Sequence, residues 1–450
     1  MSALPDTFFF DACGERVRSV PPLSEAGRIC SLVGTVIEAE GLSPQVGTVC
    51  EITPRDGSSP IPAEVVGFRQ NRFMMMPLGD SSHLAAGDSV RESAFGSGVP
   101  AALDCLGRVI DGLGRPIDNG PPIPLRGDLP LERKAEPSLS RRRIDTPLDV
   151  GVRAINSLLT TARGGRIGLF AGSGVGKSTL LGQIARFTNA DVIVVALIGE
   201  RGREVREFVE RELGDALAHS IVVVATSDEV ALLRRRTAFV ATALAEQLRS
   251  AGKHVLLLMD SATRFCTAQR EIGLAAGEPP ATRGFPPSLW SMLPRLLERA
   301  GTDSGPGSIT GIYTVLVEGD DLDEPVADAM RALLDGHIVL SREIAAKGQF
   351  PAIDILSSVS RLMPDVTTAE HQQLAARARQ LLATHRDAED LISIGAYVAG
   401  SDPAIDEACQ LHTPLLQLLR QSGQTPASLD DSVAAMNNAL IQPTASVASL

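Results

Sequence analysis

Aromatic residues are scarce in this 450-residue chain: 4% of it, with one Trp and two Tyr. Few rings leave few platforms on which successive bases could stack. Basic residues are outnumbered too, 42 Lys and Arg against 54 Asp and Glu, for a net charge of −12. Both shortages weigh against a protein whose main work is coating nucleic acid. The six cysteines (Cys13, Cys30, Cys50, Cys105, Cys266, Cys409) lie far apart with no Cys-x-x-Cys pair. Neither a disulfide framework nor a zinc site is expected; free thiols in a reducing cytoplasm are. No stretch approaches the ~20 apolar residues of a membrane-spanning helix. The Phe8-Phe9-Phe10 cluster sits between Asp6 and Asp11 with no basic region before it, unlike a secretory signal. The expected protein is cytoplasmic and soluble, able to dock peripherally on a membrane complex.

Hydrophobic residues make up 44% of the chain, enough for well-formed cores, and the length predicts two or three domains. Residues 1–26 are broken by Pro5, Pro21 and Pro22, with a helical possibility only near Phe8–Val17. Residues 27–96 alternate short apolar runs with turns about every ten residues, the pattern of a small β-sandwich or barrel. Within them, Met74-Met75-Met76 reads as strand core. Residues 97–150, rich in Gly, Pro and Arg, read as a linker. Residues 151–363 alternate buried strands with helices, an α/β arrangement around a mostly parallel sheet. Strands are predicted at Arg166–Phe170, Val192–Ile198, Ser220–Ala225, His254–Met259, Ile309–Val317 and Gly336–Leu340. Residues 364–450 are helical in pattern.

The most informative segment is Ala171-Gly172-Ser173-Gly174-Val175-Gly176-Lys177-Ser178, between an apolar strand and the helical stretch beginning at Thr179. This is a phosphate-binding loop in the context it requires. Backbone N–H groups and the positive helix end wrap nucleotide phosphates, Lys177 reaches the β- and γ-phosphates, and the Ser178 hydroxyl ligates Mg²⁺. Ala171 stands where the motif has its first Gly, a swap that leaves the cradle intact. The sequence therefore predicts a protein that binds ATP or GTP.

Three further elements point to hydrolysis. Glu200 ends the strand after the loop helix, where carboxyl strand ends converge on the ligand crevice, and could orient or deprotonate the attacking water. Asp260 ends the apolar run His254–Met259 and can hold a Mg²⁺-bound water. Arg264 follows shortly; it reads equally as a bridge toward the phosphates or a structural salt bridge. Phe350 offers a flat face for an adenine ring. Arg361 follows the serine-rich Ser357-Ser358-Val359-Ser360, and by spacing alone is a surface arginine.

At these residues the chain resembles the rotary-ATPase superfamily, and within it the type III secretion ATPases of flagella and injectisomes. The resemblance is carried by Ala171–Ser178, Ala196–Phe208, Met259–Phe265, Gln269–Phe285, Gly307–Asp321 and Leu334–Arg342. It implies a RecA-like ATPase core with an N-terminal β-barrel and a C-terminal helical domain. It also implies Lys177 and Ser178 on phosphate and Mg²⁺, Glu200 as the catalytic carboxylate and Asp260 as a second acid. Phe350 would lie beside adenine, and Arg361 would be a finger acting across a subunit interface. A chain holding both halves of the site needs only copies of itself, and the family implies a homohexamer.

The function implied is ATP hydrolysis energising type III protein export. Export substrates, chaperones, and regulatory stator and stalk proteins would be the partners, with residues 1–26 either docking a regulator or packing on the barrel. The alternative is a catalytic subunit of a rotary ion-translocating ATPase. An RNA-translocating hexamer and a nucleotide-binding regulator without turnover fit the composition and the paired acids less well.

Overall fold

The computed structural model describes residues 25–93, 98–126, 131–317, 319 and 321–441. The helical and partner-docking readings of the N-terminal segment lie outside the described residues. Two compact units divide at Gly96/Ser97.

The first unit is a closed six-stranded barrel. Around it run Gly27–Val33, Val36–Glu40, Arg72–Pro77, Ile61–Arg69, Val49–Thr53 and Ser89–Glu92, each antiparallel to its neighbours. Successive side chains on a strand point to opposite faces. Alternate positions therefore fill the interior: Ile37 and Ala39, Cys50 and Ile52, Ala63 and Val65, Phe73 and Met75. Met74, Met75 and Met76 are all buried strand residues. Closure settles sandwich against barrel, and it leaves no unpaired strand edge.

The second unit is built on a nine-stranded sheet. Across it the order is Ile353–Ser360, Gly336–Leu340, Arg166–Ala171, Ser308–Leu316, His254–Asp260, Val192–Glu200, Ser220–Thr226 and Val109–Asp111, with Gly301–Thr302 pairing off this path. Apart from that pair and the edge strand Ile353–Ser360, both antiparallel, all these strands are parallel. Val109–Asp111 lies in the stretch read as a linker. Its three residues, closed by turns at Asp111 and Asp118, are too short for periodicity to signal a strand.

Helices cover both faces, so the central strands are apolar on both sides. Val194, Ala196 and Ile198 enter one core, with helices Ala231–Ser250 and Ala262–Ala276; Ile193, Val195 and Leu197 enter the other. The second core holds the loop helix Lys177–Phe187 and the helices Ala369–Ser393, Pro403–Leu419 and Leu429–Ile441. Thr368 and Asp402 cap two of these, accepting from the amides of His371 and Ala404, which satisfies otherwise orphaned donors. Pro414 sits inside Pro403–Leu419.

Candidate active site

The phosphate loop leaves the sheet at the carboxyl end of Arg166–Ala171. This strand lies between Ser308–Leu316 and Gly336–Leu340, while the chain next forms a strand three places away. Such a reversal opens a crevice at the carboxyl ends. Gly174 and Gly176 take φ of +79° and +90°, a left-handed backbone that glycine adopts without strain. Gly176 is the N-cap of the loop helix.

An open cavity of ≈ 550 Å³ lies over this loop, lined by Ala171, Gly172, Ser173, Gly174, Gly176, Lys177, Ser178 and Thr179. Glu200, Arg201, Glu204, Arg264 and Arg342 are among the residues of its walls. Val175 is buried in the core beneath. The volume suits a nucleotide-sized ligand.

The loop lysine is matched before any ligand arrives. Lys177 Nζ lies 3.4 Å from Glu200 Oε1 and makes a short contact with Asp260 Oδ1. The Thr314 hydroxyl donates to the same Asp260 oxygen at 2.7 Å. Burial disfavours charge on Lys177, yet the Asp260 and Glu200 carboxylates outweigh it and hold the amine above its usual range. Glu200 moves oppositely. Burial, then the Asp260 charge, push its carboxyl up to about 7 against the pull of Lys177, with Glu204 adding to the rise. A carboxyl poised near neutrality beside a phosphate cradle has the properties of a general base.

Arg264 follows Ser261, the helix cap that accepts from its amide at 3.2 Å. Its stem packs on Gly199, its side chain is exposed to the cavity, and among the described residues no carboxylate lies within ion-pair distance. Phe350 is also at this end: its ring edge is 3.7 Å from where a Cβ on Gly176 would sit, and half the residue is exposed.

Arg361 is elsewhere. Ile353 pairs with Leu340, which is level with Ala171 at the phosphate loop; Ser360 pairs with Gly336, level with Ile167. The edge strand thus carries the chain from Phe350 at the carboxyl end to Arg361 at the amino end, roughly 20 Å or more away at ~3.3 Å per residue. There the Arg361 guanidinium faces the carbonyls of Leu334 and Arg331 at 3.4 and 3.3 Å. Phe350, Asp260 and Arg361 are all absent from the lining of the loop cavity, but Phe350 and Asp260 adjoin the loop through Gly176 and Lys177, and Arg361 does not.

Two residues at the site carry no sequence signal of their own. Thr314 lies within the apolar strand Ser308–Leu316, and only the sheet order brings its hydroxyl to Asp260. Arg342 follows Leu340 and reaches the loop because its strand neighbours Arg166–Ala171. A Cβ on Gly172 would sit 2.7 Å from its Nε.

With this geometry the chain can be set beside known proteins. The model for the ATP synthase alpha/beta family, nucleotide-binding domain, matches residues 151–360, and that for the T3SS EscN ATPase C-terminal domain matches residues 367–438. The flagellum-specific ATP synthase of Bacillus subtilis (strain 168) is 49% identical over 416 residues, spanning 92% of this chain and 94% of that one. The chain belongs to the family of flagellum-specific and type III secretion ATPases. A second member, the type 3 secretion system ATPase of Xanthomonas euvesicatoria, is 49% identical over 383 residues, 85% of this chain and 86% of that one. Among solved structures of the family, the assembled ATPase EscN from the enteropathogenic E. coli (EPEC) type III secretion system matches with a TM-score of 0.86 at 43% identity. That match covers 92% of this chain and 100% of EscN. EscN in complex with its central stalk EscO matches at 0.84 and 42%. Likeness of this extent, including the C-terminal helices, favours the export reading over the rotary ion-translocating one.

Proposed function

We propose that this chain hydrolyses ATP between adjoining copies in a homohexameric ring, and that the turnover energises type III protein export. One observation carries the subunit-crossing part of the reading: Phe350 and Arg361 lie at opposite ends of one strand. A single copy cannot bring both to one nucleotide. Two copies can, if the amino end of one sheet faces the carboxyl end of the next.

In the proposed reaction the glycine cradle and Lys177 hold the β- and γ-phosphates, and Phe350 lies against the adenine. Glu200 orients the attacking water and accepts its proton; Asp260 and Thr314 hold Lys177 in position from behind. Arg264 from the same copy and Arg361 from the neighbour face the charge developing on the transferred phosphoryl group. The exposed Ser178 hydroxyl and the Asp260 carboxylate, both hard oxygen donors, fit Mg²⁺. When bound there, directly to Ser178 and through water to Asp260, it would neutralise phosphate charge.

Partner surfaces follow from the C-terminal helices. The end of Ala369–Ser393 and the turn that follows it expose Leu391, Ile394 and Val398 at 47%, 75% and 70%. Clustered apolar exposure of this kind marks a contact surface, and a central stalk of the EscO kind is the partner proposed for it. Export substrates, chaperones and a regulatory stator are proposed to engage the same ring. Among the described residues no helix is long and apolar enough to cross a membrane, so any association with the export apparatus in the inner membrane is proposed to be peripheral.

The test is ATPase activity across a dilution series, with assembly followed in parallel by light scattering. Specific activity should rise with ring formation. Equal activity in isolated protomers would refute the shared site.

A further inference from the structure

A second cavity, of about 190 Å³, opens at the amino end of the parallel sheet, away from the phosphate loop. It is formed where three elements meet: the turn before Arg166–Ala171, the starts of two central strands, and the Arg142–Thr146 segment. His254 and Ser308 begin adjacent strands and are paired in register. His254 Nδ1 and Ser308 Oγ lie 3.0 Å apart, leaving Nε2 as the other ring nitrogen.

Arg163 supplies the decisive feature. Its Nε is buried with no hydrogen-bond partner, and among the described residues its guanidinium has no carboxylate within ion-pair distance. Arg142 lies beside it, its Nη2 fixed by the Pro306 and Gly307 carbonyls at 2.7 and 3.1 Å. Arg143, also on the lining, turns to Asp365 at 3.2 Å. The one acid on the lining is Asp145, whose Oδ1 accepts from the Thr146 hydroxyl at 2.9 Å. Three arginines and a histidine thus share a lining with one carboxylate, while Asp365 answers Arg143 from outside it. Burial and the nearby Arg163 and Arg142 charges hold the His254 ring below its usual range, against the pull of Asp191.

A buried guanidinium nitrogen without an acceptor forfeits its hydration with nothing in return. Beyond that buried nitrogen, the excess of cations on the cavity lining favours an anion with several acceptor oxygens, which planar guanidinium forks match in pairs. Size narrows the choice, since the volume falls below the ~300 Å³ at which sites for drug-sized ligands begin. We propose that this cavity is a second anion site that takes a small tetrahedral oxyanion, a phosphate as the free ion or as a monoester. The product of the phosphate-loop site is such an ion.

The test uses the full-length chain carrying Lys177→Ala, which disables the phosphate loop. Melting temperature and calorimetric titration are followed with potassium phosphate, and separately with glycerol phosphate, against potassium chloride at matched ionic strength. Inorganic phosphate should raise Tm saturably, and adding Arg163→Gln should weaken its binding at least tenfold. Binding of inorganic phosphate alone supports a free-ion site; binding of both supports a monoester site. Because Arg163 has no side-chain partner to lose, Arg163→Gln should melt no lower than its parent in chloride. Should Lys177→Ala fold poorly, the same comparison of Arg163→Gln with the otherwise unaltered chain isolates the cavity. An unchanged phosphate response in Arg163→Gln, or a parent response no different from chloride, would overturn the proposal.

Discussion

The two ends of the parallel sheet are charged in contrasting ways. At the carboxyl end one cation, Lys177, answers two carboxylates, Glu200 and Asp260. At the amino end Arg166 answers Glu298 and Asp335, and Arg141 joins Glu298 at 3.0 Å. Burial opposes the Arg166 charge, but Asp335 and Glu298 more than compensate and raise it. Among the described residues, the Arg361 guanidinium, on the same side, is held by two long contacts to carbonyls. The carboxyl end therefore keeps Lys177 paired until a polyanion enters, with Arg264 exposed to the same cavity. The amino end is built from satisfied ion pairs beside a guanidinium with spare donors. A catalytic interface needs both characters, and the edge strand Ile353–Ser360 separates them within one copy.

The sharpest break of this comparison is Arg361→Ala. On the subunit-crossing account kcat falls by about 10³–10⁵-fold, while nucleotide binding at the other end stays within a few-fold. Stopped-flow binding of a fluorescent ATP analogue alongside steady-state turnover separates the two. Glu200→Gln should lower kcat by about 10²–10⁴-fold, the range for a lost general base, with ATP still retained on the protein.

Phe350→Ala tests the opposite end of the same strand. Loss of base stacking, worth about 1–3 kcal/mol, should raise KM roughly 5- to 150-fold and leave kcat largely unchanged, the signature of lost ground-state binding. A kcat effect from Phe350→Ala matching that of Arg361→Ala would erase the distinction between the ends.

The pH dependence sharpens the carboxyl end further. Because kcat/KM reports groups of the free enzyme, its acid limb should have a midpoint near 7, set by Glu200. Activity is lost as pH falls through that value, since the base must be ionised. The stability linkage runs the other way. A carboxyl raised in the folded protein from 4.5 to about 7 binds protons more tightly than in the unfolded chain. Stability from this group is full below about 4.5 and declines by roughly 3 kcal/mol as pH rises to about 7. Urea melts of the ligand-free protein at pH 5.5 and 7.5, with and without Glu200→Gln, check the sign.

The smallest effects belong to the loop glycines. Gly176→Ala places a side chain at φ +90°, which costs about 1 kcal/mol or more and should weaken ATP binding measurably. In Gly172→Ala the new methyl meets only the movable end of Arg342, so binding should change less. Calorimetric titration of both variants orders them.

Much of this was legible in sequence because the relevant signals are local. The phosphate loop, Glu200 and Asp260 stand at the ends of apolar runs whose composition marks them as buried strands. Predicted and observed strands in the sheet differ by at most two residues at either end. Two strands rich in polar residues were not legible. Ile353–Ser360 carries three serines on an edge, and Val36–Glu40 alternates with glutamates that face outward from the barrel. Thr314 and Arg342 escaped for another reason: strands remote in sequence bring them to the loop, and no spacing records sheet order. The single extended edge strand between them separates Arg361 from Phe350, which are only eleven positions apart in the chain.

The most direct measurement mixes two inactive variants, Glu200→Gln and Arg361→Ala, under conditions where ring assembly is verified. If sites form between copies, a junction that takes its loop side from Arg361→Ala and its finger from Glu200→Gln is intact. Mixed rings should then recover a substantial fraction of turnover, peaking near equal proportions. Assembled mixed rings no more active than either variant alone would contradict the account.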